Sequence, residues 1–221
     1  MNKKAIEQKD HVKYLGVLID SQLTFKAHIT TVSKKISRTT GLMYRIRRYV
    51  DNKTVTMIYN SLIYPILLYG IPIWGNADEV HLKSILTIQK KAVRIISNKD
   101  RFFDDTFIRE PSLPLFKNLN ILTISDVFNL ETLKFVYDSV NKTNPTQFHQ
   151  FYQYPLNQCN TNANRNNNLN TPTVRTTTYG LKSLKYTGTV LWNNLPNPVR
   201  YKPSKKLFAK IAKEHFINSY H

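Results

Sequence analysis

The chain has 221 residues, with 32 lysines and arginines against 14 aspartates and glutamates, a formal net charge of +18 and a pI near 9.9. At 41% hydrophobic residues it can bury the core of one or two domains, and its single cysteine, Cys159, excludes an intrachain disulfide and a cysteine-based zinc site. So large a positive charge is best neutralised by a polyanion, so nucleic acid is the expected partner; an acidic protein and an anionic membrane surface are the alternatives.

None of His11, His28, His81, His149, His215 and His221 has a second ligand at metal-binding spacing, so no metal is expected on them. The longest apolar run, residues 62–74, is broken by Pro65, Gly70 and Pro72 and falls short of the ~18 to 20 residues that span a bilayer. The charged first ten residues lack the apolar stretch of a secretory leader. An intracellular address, cytoplasmic or nuclear, is expected, with no membrane and no small-molecule substrate.

In chain order, residues 11–20 (HVKYLGVLID) read as a strand, with Gly16 marking a bulge or a close backbone approach and a short return over residues 23–25. Residues 27–50 read as a helix: Ile29, Val32, Ile36, Met43, Ile46 and Val50 fall on one arc, and Lys34, Arg38, Arg45 and Arg48 on the other. A stripe so free of acids is unlike a solvated face, which mixes signs. It suggests phosphate contact.

Residues 54–98 read as two helices around which the rest is built. The first has an apolar face of Val55, Ile58, Tyr59, Leu62, Ile66 and Leu67, kinked at Pro65 and stopped by Gly70, Pro72 and Gly75. The second is expected to open at Asn76, with Glu79 completing a capping box. Its apolar side carries Leu82, Ile85, Leu86, Ala92, Val93 and Ile96, and its other side Lys83, Lys90 and Arg94. Ser125 or Asp126 is expected to cap a further helix to Val140. The Asn/Thr-rich residues 155–178 read as a mobile linker or a loop that runs over the surface. In the last module Trp192 is expected as a core anchor, and Ser204 as the cap of a final helix.

Five segments then resemble, in order, the C-terminal part of non-LTR (LINE-type) retrotransposon reverse transcriptases of the jockey and CR1 kind. They are KYLGVLIDSQLTFKAHI (13–29), IYNSLIYPILLYGIPIWG (58–75), IQKKAVRII (88–96), PLFKNLNIL (114–122) and LWNNLPNPVR (191–200). The resemblance implies that Tyr14, Leu15 and Gly16 sit in a primer-grip hairpin and that the helices after it form a thumb. It also implies that the catalytic palm, with its acids, lies upstream of Met1. Magnesium belongs to the full-length enzyme and no cofactor to this chain.

The expected fold is mainly α with a small β-hairpin near the N-terminus: a thumb-like helical bundle plus a small irregular C-terminal module. The divisions are 1–26 primer-grip-like, 27–98 thumb-like, 99–154 helical connector, 155–178 linker and 179–221 C-terminal module. The expected function is a reverse-transcriptase fragment that binds template and primer backbone through Tyr14, Leu15, Gly16, Lys34, Arg38, Arg45, Arg48, Lys83, Lys90 and Arg94 without polymerising. Its partners would be nucleic acid and the missing palm and fingers. The alternative is a basic helical module that binds an acidic protein. Asp104 and Asp105, in Phe102-Phe103-Asp104-Asp105, resemble the paired metal-binding aspartates of such enzymes, but they lack flanking strands and a third acid and are read as a decoy.

Overall fold

A computed structural model describes residues 9–98, 111–155, 168–176 and 179–220. Asp104, Asp105 and most of the Asn/Thr-rich stretch lie outside the described residues. The architecture is mainly helical with one antiparallel hairpin. The chain divides into two compact units, residues 1–70 with 77–110, and residues 71–76 with 111–221.

The first unit opens with strands β1 (His11–Tyr14) and β2 (Val17–Asp20), paired from His11↔Asp20 to Tyr14↔Val17. The single strand expected over residues 11–20 is thus a hairpin, and Gly16 is a turn residue. Leu15 and Gly16 both have positive φ, 43° and 84°, as a two-residue type I′ turn requires. Tyr69 Oη donates to Leu15 O at 2.5 Å, and its ring would stand 3.4 Å from a Cβ on Gly16, so the tip is tied down where only glycine fits easily. No return strand forms at residues 23–25. Instead the Asp20 carboxylate accepts from the backbone N–H groups of Gln22, Thr24 and Phe25 at 3.2, 2.9 and 2.7 Å and folds this loop into the start of the next helix. Burial opposes its charge, but the Thr24 and Phe25 N–H donors outweigh that and hold its pKa below the ordinary value.

Helix α1 (Lys26–Ile46) buries Ile29, Val32, Ile36 and Met43. It ends four residues short of the expected Val50, because Arg47 turns inward at its C-cap. After α2 (Asn52–Ile58), capped by Asp51 accepting from Thr54 N–H at 2.9 Å, comes a single π turn (Tyr59–Ile63), and then α3 (Tyr64–Leu68). Val55, Tyr59, Ile63 and Leu67 are all fully buried. Steps of four advance the side chain by about 40° each on an α-helix, and three steps would carry Leu67 out of the core. The wider π turn, in which Tyr64 N–H reaches Tyr59 O, removes part of that drift and relieves the clash of Pro65 with the carbonyl four residues back. For the same reason Leu62, expected in the core, is 45% exposed, and Ile63 takes its place.

Helix α5 (Glu79–Ile96) starts after Asp78 and not at Asn76. The Asn76 amide is committed within the second unit, where it donates to Lys182 O at 2.9 Å and Thr187 Oγ1 at 3.0 Å, so the expected capping box does not form. Gln89, buried in the middle of α5, donates to Tyr59 Oη at 3.0 Å. Burial pushes the Tyr59 phenol up to about 12.

His28, buried in the first turn of α1, accepts from Leu18 N–H through Nδ1 at 3.4 Å and so ties the hairpin to the helix. Burial first, and the Lys35 charge second, hold its pKa below 6.5. A depressed folded pKa means stability that is present above pH 6.5 and lost as the pH falls through the folded value. The hairpin should therefore loosen as the pH falls below 6.5 towards the folded value, while Asp20 and Asp51, also depressed, act only below 3.8. Hydrogen exchange at Leu18, corrected for intrinsic rates, should accelerate in that upper window, and His28→Gln should flatten the response. An unchanged pH profile in the variant would contradict this role.

The second unit packs α4 (Ile71–Trp74), α6 (Leu113–Asn118), α7 (Ile124–Val140), α8 (Leu184–Asn194), α9 (Asn197–Arg200) and α10 (Lys205–Asn218). Helix α7 is its centre, with Ile124, Val127, Leu133 and Val136 buried. Its cap is Thr123, whose hydroxyl accepts from Asp126 N–H at 3.4 Å, and not Ser125 or Asp126. Ser204 caps α10 as expected, accepting from Leu207 N–H at 3.3 Å. Trp192 is 1% exposed, against Phe208 at 5.8 Å between ring centroids. Tyr220 closes the unit by accepting from Thr123 N–H at 3.1 Å and donating to Asp126. Within the described part of the Asn/Thr-rich stretch, Leu169 is buried, 3% exposed.

Candidate nucleic-acid interface

Two contacts fix how α1 and α5 lie in the first unit. Ser33 Oγ and Ser84 Oγ are 2.9 Å apart near the helix starts, and Arg47 Nε donates to Ile95 O at 2.9 Å at their ends. The helices are therefore parallel and nearly in register, since the residue offset changes little along the pair. On α1, Lys34, Arg38 and Arg45 are exposed and span an arc of about 40°, and Arg48 is exposed just beyond the C-cap. On α5, Lys83 is exposed and Lys90 and Arg94 half-buried, within about 40° of one another. Each arc lies roughly 100° around its axis from the Ser33–Ser84 contact, on the side away from the core. Two side-by-side parallel helices with this offset turn both arcs the same way, so the two stripes form one basic surface. Helix α1 has no acidic residue, and α5 has only Glu79, in its first turn.

Parallel alignment brings two helix C-termini together, each carrying a partial negative charge of about half a unit. Arg47 answers it. The residue is buried, 8% exposed, and its guanidinium donates to Ile95 O, to Val50 O at 3.1 Å and to Asn52 Oδ1. Sequence reasoning selects Arg45 and Arg48 and passes over Arg47. The available signal is its place on the apolar side of the helical wheel, where an arginine needs buried acceptors. Lys91, exposed beside the seam, is also passed over.

The three hairpin residues stand apart from this surface in kind. Tyr14 and Leu15 are 64% and 73% exposed, and with Gly16 they form an apolar tip held by Tyr69. They could stack on or pack against a base or sugar but carry no charge for phosphate. Among the described residues no three His, Cys, Asp or Glu side chains gather to hold a metal ion, and no helix is long and apolar enough to cross a membrane.

Over 135 residues, 59% of the chain, the sequence is 30% identical to the probable RNA-directed DNA polymerase from transposon X-element of Drosophila melanogaster, of which that match covers 14%. It is 34% identical over 101 residues, 44% of the chain, to the RNA-directed DNA polymerase from mobile element jockey of the same organism, covering 11% of it. For the probable RNA-directed DNA polymerase from transposon BS the identity is 27% over 136 residues, 59% of this chain and 14% of the relative. No family model and no solved structure matches. The chain spans only a small part of the length of the curated relatives it matches. The resemblance read from its motifs is borne out: over about half its length the chain is similar to a stretch of the RNA-directed DNA polymerases of non-LTR retrotransposons.

Proposed function

We propose that the first unit grips the sugar-phosphate backbone of a template and primer on the shared basic surface of α1 and α5, and that this chain carries no polymerising chemistry of its own. The observation that carries the reading is the parallel pairing of the helices, which sums Lys34, Arg38, Arg45 and Arg48 with Lys83, Lys90 and Arg94 on one side of the unit. Tyr14, Leu15 and Gly16 would meet the primer end. The palm and fingers of a longer enzyme would supply the carboxylates and magnesium, and this chain would hold no metal. Such a grip works in the cytoplasm or nucleus, where its ligand is. Backbone contacts position nucleic acid without reading its sequence, so single strands, duplexes and hybrids should all bind. The second reading, an acidic protein partner, uses the same surface and differs in its ligand.

The test is a quadruple change of Lys34, Arg38, Arg45 and Arg48 to Gln. Removing one phosphate-binding charge should lower the log-log salt slope by roughly 0.7 to 0.9, and removing all four by about 3, with binding weakened on every nucleic acid tried. Stability should shift by no more than about 0.5 kcal/mol per site, as for other exposed positions. A folded quadruple variant with unaltered affinity and slope would remove α1 from the interface. Salt-sensitive capture of an acidic protein, with no nucleic-acid binding by the unsubstituted chain, would favour the second reading.

A further inference from the structure

In the second unit, residues 168–170 lie against the last turn of α8 and the end of α9. Leu169 N–H donates to Asn193 Oδ1 at 2.8 Å, and Asn193 Nδ2 donates back to Leu169 O at 3.0 Å. One side-chain amide thus satisfies both main-chain groups of one residue, as a neighbouring strand would. The Leu169 side chain is buried. On either side, Asn168 Oδ1 accepts from Arg200 Nη1 at 2.9 Å, and Asn170 N–H donates to Gln153 O at 2.9 Å.

Part of the receiving side is braced by contacts outside residues 168–170. Arg200, 6% exposed, is fixed by donating through Nε to Leu195 O at 2.7 Å and through Nη2 to Asn193 O, neither of which belongs to residues 168–170. Asn193 follows Trp192, which is anchored in the core. Both polar groups therefore sit on one short segment, residues 193–200, braced by Arg200, and the Leu169 side chain between its main-chain partners is buried. Main-chain pairing gives such a site affinity for any extended peptide; the pocket and the guanidinium select the residue types.

We propose that Asn193, Arg200 and the pocket around Leu169 form a recognition site for an extended Asn-Leu-Asn peptide, and that residues 168–170 are its resident, covalently attached ligand. The site does not depend on the nucleic-acid reading. It predicts that the same peptide presented in trans binds once the resident is disabled.

The experiment uses the full chain and a fluorescein-labelled peptide of residues 166–172, NNNLNTP. Leu169→Asp should release the resident, and the peptide should bind that variant at least ten times more tightly than the unsubstituted chain. There the attached segment competes at an effective concentration in the ~millimolar range. Adding Asn193→Ala to Leu169→Asp should lower affinity at least tenfold, and a peptide with aspartate in place of leucine should not bind. If Leu169→Asp does not fold, Leu169→Gly empties the pocket without placing a charge in it, and the same titration applies. A folded variant that fails to bind the peptide overturns the proposal. So does binding that is equal with and without the resident, or unaffected by Asn193→Ala.

Discussion

Arg47→Met should destabilise the first unit by about 3 kcal/mol. Three acceptors lose a charged donor: Ile95 O, Val50 O and Asn52 Oδ1. Hydrogen bonds to a charged group contribute roughly 1.5 to 3 kcal/mol each, but burying the guanidinium costs several kcal/mol in return. What decides the sign is that methionine leaves the two carbonyls unsatisfied and the paired helix ends uncompensated. Arg47→Lys should recover less than half, because one ammonium cannot serve three divergent acceptors. Trp74 and Trp192 both belong to the second unit, so tryptophan fluorescence would miss the change. Hydrogen exchange of peptides from the last turns of α1 and α5 would show it as faster exchange. Protection equal to that of the unsubstituted chain would mean that the helix ends do not need the charge.

In the second unit a loss of stability is expected from Gly188→Ala. Alanine is favoured over glycine in a helix by about 1 kcal/mol, so an open site should gain. At Gly188, however, a new Cβ would collide with Tyr152 Oη and stand 2.9 Å from Val136 Cγ2 and 3.0 Å from Tyr152 Cε1. Tyr152 is not free to swing, since its hydroxyl donates to Leu184 O at 2.7 Å, and Val136 is fully buried on α7. Overpacking of about 1 to 3 kcal/mol plus a broken hydrogen bond of about 1 kcal/mol exceeds the helical gain, for a net loss of roughly 2 kcal/mol. The control is Gly41→Ala, in α1, where nothing lies within 4 Å of the added carbon and a gain of up to about 1 kcal/mol is expected. Urea unfolding followed by tryptophan emission reads the first variant, and hydrogen exchange the second. If both glycines responded with the same sign, close packing of α8 on α7 would not be the reason for glycine at 188.

The helices and their apolar faces are legible in the sequence because periodicity is a local property. Ile29, Val32, Ile36 and Met43 are buried as their spacing demands. Where sequence and structure part, partners or backbone irregularities that local spacing does not encode are the cause. Asn76 has the composition of a cap but is claimed by Lys182 and Thr187 more than a hundred residues away. Leu62 sits at helical spacing, yet an inserted π turn rotates it to the surface. The hairpin reads as one strand because Leu15 is a poor turn former, and its left-handed backbone is held by the distant Tyr69 hydroxyl. Within the candidate site the individual stripes can be read from the wheel. That they share a side cannot, because it follows from the parallel register of α1 and α5. Leu169 lies in a composition that reads as loop, and nothing local announces the amide of Asn193 that holds it.

Residues 71–76 interrupt the first unit in sequence yet belong to the second, with Ile71 and Trp74 fully buried and α4 packed on α7. The two bodies are therefore interleaved and cannot be separated by one cut. A piece ending near residue 110 would carry an orphaned indole and isoleucine, sticky to whatever it met, and a piece beginning near 111 would lack the plug over α7. Deletion mapping by successive truncation would then report misfolding at both boundaries and assign activity to the wrong half. Excision of residues 71–76 together with 111–221, joined by a short glycine-serine bridge, is the dissection that the chain's own topology permits.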